Sequence, residues 1–129
     1  MSERQHFTSG APWESIIGYS RAVRVGPHVH VAGTTAVDSA GNVTHPGLAY
    51  EQTLEILHTI EEVLVQAGAS MQHVVRTRIF VTNIDDWEEV GRAHGEFFRD
   101  IRPAATMVEV SRLIAPGLVV EIEADAYLG

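Results

Sequence analysis

Residues 46–82, PGLAYEQTLEILHTIEEVLVQAGASMQHVVRTRIFVT, contain the change of period that decides the fold. In the first half, Tyr50, Leu54, Leu57, Ile60 and Leu64 recur at helical spacing. Pro46 suits the first turn of that helix and Gly68 its C-terminal stop. From His73 to Thr82 the period drops to two, placing Val75, Ile79 and Val81 on one face of a strand and Arg76, Arg78 and Phe80 on the other. A long amphipathic helix followed at once by a strand predicts an α+β chain.

Working outward, residues 21–33, RAVRVGPHVHVAG, alternate on either side of Gly26-Pro27 and read as a β-hairpin. Residues 34–46 form a connecting loop with a turn at Ala40-Gly41-Asn42. Downstream, Asp85 or Asp86 is a candidate N-cap for a second helix, with Glu88 or Glu89 three residues on. Trp87, Val90, His94, Phe98 and Ile101 form its apolar stripe and Pro103 closes it. Strands at 104–110 and 117–127 follow, joined through Pro116-Gly117. The predicted order is β-β-α-β-α-β-β, and the simplest packing sets both helices on one face of a mixed sheet. The opposite face then carries Arg76, Arg78 and Phe80 beside Val119, Glu121, Glu123, Asp125 and Tyr127. Such a mixture suits contact with another subunit. A solvated face with cross-strand Arg–Glu pairs, worth under ~1 kcal/mol each, is the alternative.

Composition narrows the chemistry. At 129 residues, with no repeat or linker, residues 1–129 read as one domain. Hydrophobic residues make up 45%, and no apolar run approaches the ~20 residues of a membrane helix. The N-terminus lacks a basic, apolar signal pattern, so a soluble cytoplasmic protein is expected. There is no cysteine, which excludes thiolate nucleophiles and Cys-based metal sites. All nine basic residues are arginine, which excludes Schiff-base catalysis by lysine. A net charge of −8, with no basic run, makes nucleic acid a poor partner.

The segments RPAATMVEVSRL and VVEIEADAYL, together with Gly18-Tyr19-Ser20, Val31-Ala32-Gly33, Ala67-Gly68 and Glu96-Phe97-Phe98, resemble the RidA/YjgF family, named for enamine/imine deaminases. Several dispersed matches in the right order, covering nearly the whole chain, are far more specific than one motif. The resemblance implies a chorismate-mutase-like α+β fold and a homotrimer with small-molecule clefts between subunits. It implies no cofactor. Carried over by position, Tyr19 and the backbone of Gly33 would line the cleft and Glu121 would position water. The family's carboxylate-gripping arginine falls on Ala105, its cleft asparagine on Gly91, and its frequent cysteine on Met107; Thr106 completes the binding segment. Alanine cannot reproduce a bidentate guanidinium–carboxylate pair. At ~1.5–3 kcal/mol per charged hydrogen bond, its loss weakens recognition of an imino acid at least roughly tenfold.

The expectation is therefore a small-metabolite binder, with imine or enamine hydrolysis over an altered substrate range. A non-catalytic ligand-sensing or protein-binding member is the alternative, and an endoribonuclease is a distant third on charge grounds. Arg21, Arg78 or Arg102 reaching the Ala105 position across the interface would overturn the expectation of a bulkier or less acidic ligand. Trp13 and Glu14, just before Gly18-Tyr19, either reach the cleft or anchor the N-terminal segment. Burial of Glu121 without the family's arginine would raise its pKa. His28 and His30 share a strand face, but no companion ligand accompanies them, so no metal is expected. No G-x-S-x-G turn presents a serine nucleophile, and Ser20 and Ser111 read as structural. Gly91 and Gly95 lie four apart on the second helix, where Gly95 reads as a site of close packing and Gly91 as room for a ligand.

Overall fold

The computed structural model describes residues 3–129. Its elements run β1 (Arg4–Phe7), α1 (Pro12–Ile17), β2 (Ala22–Val25), β3 (His28–Thr34), α2 (Ala49–Gln66), β4 (Val74–Val81), α3 (Trp87–Phe98), β5 (Ala104–Glu109) and β6 (Val120–Tyr127). The strands form one mixed sheet in the order β1-β2-β3-β6-β4-β5, in which only β4 and β5 run parallel. This is the expected α+β architecture, with α2 and α3 covering one sheet face. The strand β1 and the short helix α1 precede the predicted β-β-α-β-α-β-β series. Both escaped the periodicity because each is shorter than the pattern it would need to show. The local signals for α1 were nonetheless present: Pro12 begins it, and Gly18 ends it at φ 91°.

The core lies between the sheet and the two long helices. Val120, Ile122, Ala124 and Ala126 of β6 meet Ile56, Leu57, Ile60 and Leu64 of α2, and all are buried. The alternate β6 residues, Glu121, Glu123, Asp125 and Tyr127, point to the open face as their period requires. There Arg78 lies 3.2 Å from both Glu123 and Asp125, and His30 Nδ1 lies 2.8 Å from Asp125.

Several sequence expectations need correction. Helix α2 begins at Ala49 rather than near Pro46, and its buried stripe includes Gln52 and Thr53 while Tyr50 and Leu54 are only partly covered. Gln52 is buried because it is satisfied. Its amide donates to the carbonyls of His45 and Gly117 at 3.0 and 2.8 Å and accepts from the Val119 N–H at 3.0 Å, tying two loops together. In β4 the pairing shifts between Val74 and Arg76, so Val74 takes the core position and Val75 is 50% exposed. Asp86 stands at the N-cap position of α3, as one of the two candidates, but its side chain makes no cap hydrogen bond, and Asn83 caps the turn before it by accepting from the Asp85 N–H. Trp87 is 57% exposed rather than part of the buried stripe. A Cβ added to Gly95 or Gly91 would meet nothing within 4 Å, so close packing does not require glycine at either position.

Candidate functional site

The surface carries a cavity of about 280 Å³. It opens where β3 and β6 lose their regular register between Val31 and Thr34. A bulge of this kind re-aims side chains at a sheet's rim. Its walls come from α1 and the turn after it (Trp13, Tyr19, Arg21), the bulge (Gly33, Thr34), the loop beyond it, and Glu121 of β6.

Gly33 is the joint of the site. A Cβ built on it would overlap the Glu121 carboxylate, so the absent side chain is the space the carboxylate fills. On its other side, the Gly33 carbonyl accepts a hydrogen bond from Arg21 Nη2. The Arg21 guanidinium also lies over the Tyr19 ring, 5.7 Å from its centroid. Tyr19 is placed by the end of α1, where its N–H donates to the Glu14 carbonyl at 2.9 Å.

Burial pushes the Glu121 carboxyl upward from its ordinary range, and Glu123 adds to this, while the Arg21 charge pulls it partly back. The group is thus nearer to neutrality than a free glutamate and better suited to exchanging protons. Glu14 behaves in the opposite way. Burial raises it, but hydrogen bonds from the Ser9 and Thr8 hydroxyls and the Ser9 N–H, with the Arg21 charge, outweigh that and hold it below the usual range. Glu14 is 6% exposed and organises the 8–14 segment instead of lining the cavity. Trp13, by contrast, does line it.

Of the residues singled out by sequence, the cavity therefore gathers Tyr19, Gly33 and Glu121, with Arg21 and Trp13. It does not include Gly91, Ala105, Thr106 or Met107. Those last three lie on β5, at the far edge of the sheet, where Ala105 and Met107 register with Thr77 and Ile79 and Thr106 with Arg78. Arg78 is committed to Glu123 and Asp125 on the open face. Arg102 stands beyond α3, beside Gly95, Phe98 and Pro103, with φ 56°. The loop residues Thr35, Val37, Asp38 and Ser39, which also line the cavity, were missed. They lie in a stretch without period, and their only signal was position just after Gly33.

The histidine pair singled out in the hairpin has a different setting. The His28 and His30 rings stack with centroids 6.4 Å apart, and Tyr127 lies against His28. On the second helix, His94 Nε2 lies 2.9 Å from the hydroxyl of the buried Thr77, and burial lowers its pKa. No helix among the described residues is long and apolar enough to cross a membrane.

Comparison with known proteins places these features in context. Residues 8–128 match the family model described as Endoribonuclease L-PSP. A RutC family protein from Pyrococcus abyssi is 34% identical over 127 residues, spanning 98% of both chains. A crystal structure of a member of the YjgF/YER057c/UK114 family from Mycobacterium tuberculosis superposes with a TM-score of 0.88 at 53% identity, covering 97% of this chain and 99% of that one. A Rid family protein of unknown function from Yersinia pestis gives a TM-score of 0.86 at 32% identity, covering 97% and 99%.

Proposed function

The chain belongs to the endoribonuclease L-PSP family, the RidA/YjgF group, and on that premise we propose that it forms a homotrimer whose intersubunit clefts bind a small metabolite and hydrolyse an imine or enamine. The observation that carries this reading is the Glu121 carboxylate, packed into the space left by Gly33 and lifted in pKa by burial. Hydrolysis of an iminium needs a positioned water and a group that takes a proton and returns it. Glu121 accepts a proton as water adds to the electrophilic carbon and the C=N electron pair moves to nitrogen. It then returns that proton to the amine nitrogen and takes up the proton of the carbinolamine hydroxyl as C=O forms and the C–N bond breaks, giving a carbonyl compound and ammonia, which leaves with that last proton as ammonium.

The trimer is supported by the apolar side chains left uncovered beside this cavity. Helix α1, which supplies Trp13, also presents Ile16 and Ile17 at 79% and 63% exposure, and Ile114 on the cavity wall is 59% exposed. In a trimer, the β5 edge of a neighbouring copy would bring Ala105, Thr106 and Met107 opposite Glu121, with Gly91 leaving space on α3. Small and apolar groups there suit a bulkier substrate than a short imino acid. Hydrolysis of RNA, the activity in the family description, is disfavoured by the net charge of −8.

Ammonia release from a panel of imines tests the reading. Wild-type protein should accelerate release from at least one of them, and Glu121→Gln should lose roughly a hundredfold or more of that rate. Ala105→Arg should gain activity on short imino acids. A wild-type protein inert on the whole panel, with Ala105→Arg equally inert, would instead favour a ligand-binding module.

A further inference from the structure

We propose that a second cavity, at the C-terminal end of α3, is an anion site in which Arg99, Arg102 and the His94 ring hold the phosphate group of a small ligand. This cavity, of about 300 Å³, is lined by His94, Gly95, Phe98, Arg99, Arg102 and Pro103 and shares no residue with the one at Glu121. All of its walls come from one chain, so it stands apart from the intersubunit cleft and does not depend on it.

Three observations converge on that occupant. The first is backbone strain at Arg102. Its N–H closes the end of α3 on the Phe98 carbonyl at 2.8 Å, and its φ of 56° is the left-handed value that glycine normally supplies there. A residue with a Cβ is costlier than glycine in that conformation, and its presence on a cavity wall points to a use for the side chain. The second is charge. No ion pair among the described residues involves Arg99 or Arg102, and Asp100, between them in sequence, pairs with neither. Two guanidiniums thus line one cavity on a chain of net charge −8 without a carboxylate of their own. The third is the setting of His94. The Thr77 hydroxyl is fully buried, and His94 Nε2 at 2.9 Å is its one side-chain hydrogen-bond partner among the described residues. A buried hydroxyl keeps its proton paired, so Thr77 donates to Nε2 and the neutral ring carries its own proton on Nδ1. Burial favours that neutral form. Nδ1 has no partner among the described residues and is not an enclosed atom, which leaves its N–H to the cavity that the ring lines.

The donors therefore reach the cavity from the helix C-cap, from the residue that ends the helix turn and from a ring one turn back. Donors from several directions suit the tetrahedral oxygens of phosphate, whereas one guanidinium fork already satisfies a planar carboxylate. Gly95 keeps the space open, because a Cβ there would meet nothing within 4 Å.

The test titrates inorganic phosphate, phenyl phosphate and acetate into the full-length protein at constant ionic strength and about pH 8, where phosphate carries close to two charges. Binding is followed by NMR at the Gly95 amide and the His94 ring nitrogens. The free protein should show the His94 ring proton on Nδ1. Wild type should bind phosphate saturably and at least roughly tenfold more tightly than acetate. Tighter binding of phenyl phosphate than of the inorganic ion identifies the ligand as a phosphate ester, and equal binding identifies it as the free ion; both uphold the site. Arg99→Gln and Arg102→Gly should each lose at least roughly tenfold in affinity for phosphate, the worth of one charged hydrogen bond. Arg102→Gly should also melt no lower than wild type, since glycine relieves the left-handed strain, so its lost binding is not lost fold. Should it melt lower, wild type and Arg99→Gln still decide. The proposal is overturned by a wild type without saturable phosphate binding, by acetate binding as tightly, by phosphate affinity unchanged in either variant, or by a His94 ring proton on Nε2.

Discussion

Glu121 occupies a position that costs the folded state something at neutral pH. Its carboxyl is raised in pKa by burial, so the protonated form is favoured by folding and the ionised form is not. The associated stability is present below about pH 4.5 and is lost as pH rises through the folded-state value. Glu121→Gln, neutral at every pH, should therefore melt above wild type at pH 8, and the gap should close as pH falls below about 4.5. Thermal melts across that range check this, and a gap independent of pH would show that the effect is packing and not charge. At this scale the sequence revealed residue identity better than geometry. Tyr19, Gly33 and Glu121 stood out through their resemblance to a known pattern, and the cavity gathers them. The cavity position of Arg21, although the residue was a candidate, depends on the bulge in β3, and nothing in a two-residue period reveals where a strand will slip.

At the scale of elements, boundaries depend on a few capping and crossing contacts. The end of α2 is the clearest case. Gly68 adopts φ 84°, the Ala69 N–H reaches back to the Leu64 carbonyl at 2.8 Å, and Arg24 Nη1 donates to the Ala67 carbonyl at 2.6 Å. A Cβ on Gly68 would stand 2.7 Å from that same nitrogen. Gly68→Ala should thus cost about 2 kcal/mol, from left-handed strain of roughly 1 kcal/mol plus displacement of the guanidinium. Urea denaturation measures it, and an unchanged midpoint would contradict the strained cap. Gly68 was recognisable as a stop from its place after the apolar stripe, whereas Arg24 comes from a strand 43 residues away in sequence and no local pattern announces it. The same limit applied to Gln52, a polar residue outside the apolar stripe that two loops nonetheless bury, and to Val75, displaced by the register shift in β4.

On the scale of the whole molecule, the chain has more surface prepared for contact than a solitary subunit explains. The open sheet face carries Arg78, Glu123, Asp125 and His30 in one connected set of polar and charged side chains, and Ile16, Ile17 and Ile114 lie uncovered near the cavity. The cavity itself holds Tyr19, Arg21, Gly33 and Glu121, while Ala105, Thr106 and Met107 lie on the opposite sheet edge. Cyclic assembly is the economical way for one chain to bring such separated sets together, since each copy offers one edge and receives another. The mixed composition of the open face was readable from alternation alone, but its purpose was not, because the same residues serve either solvent or a partner. The proposed catalysis depends on the cleft being completed in this way. A native mass spectrum of the full-length protein tests that dependence most directly. The expected result is a single assembly at three times the 14.1 kDa chain mass, and a monomer at the same concentration would contradict the intersubunit cleft.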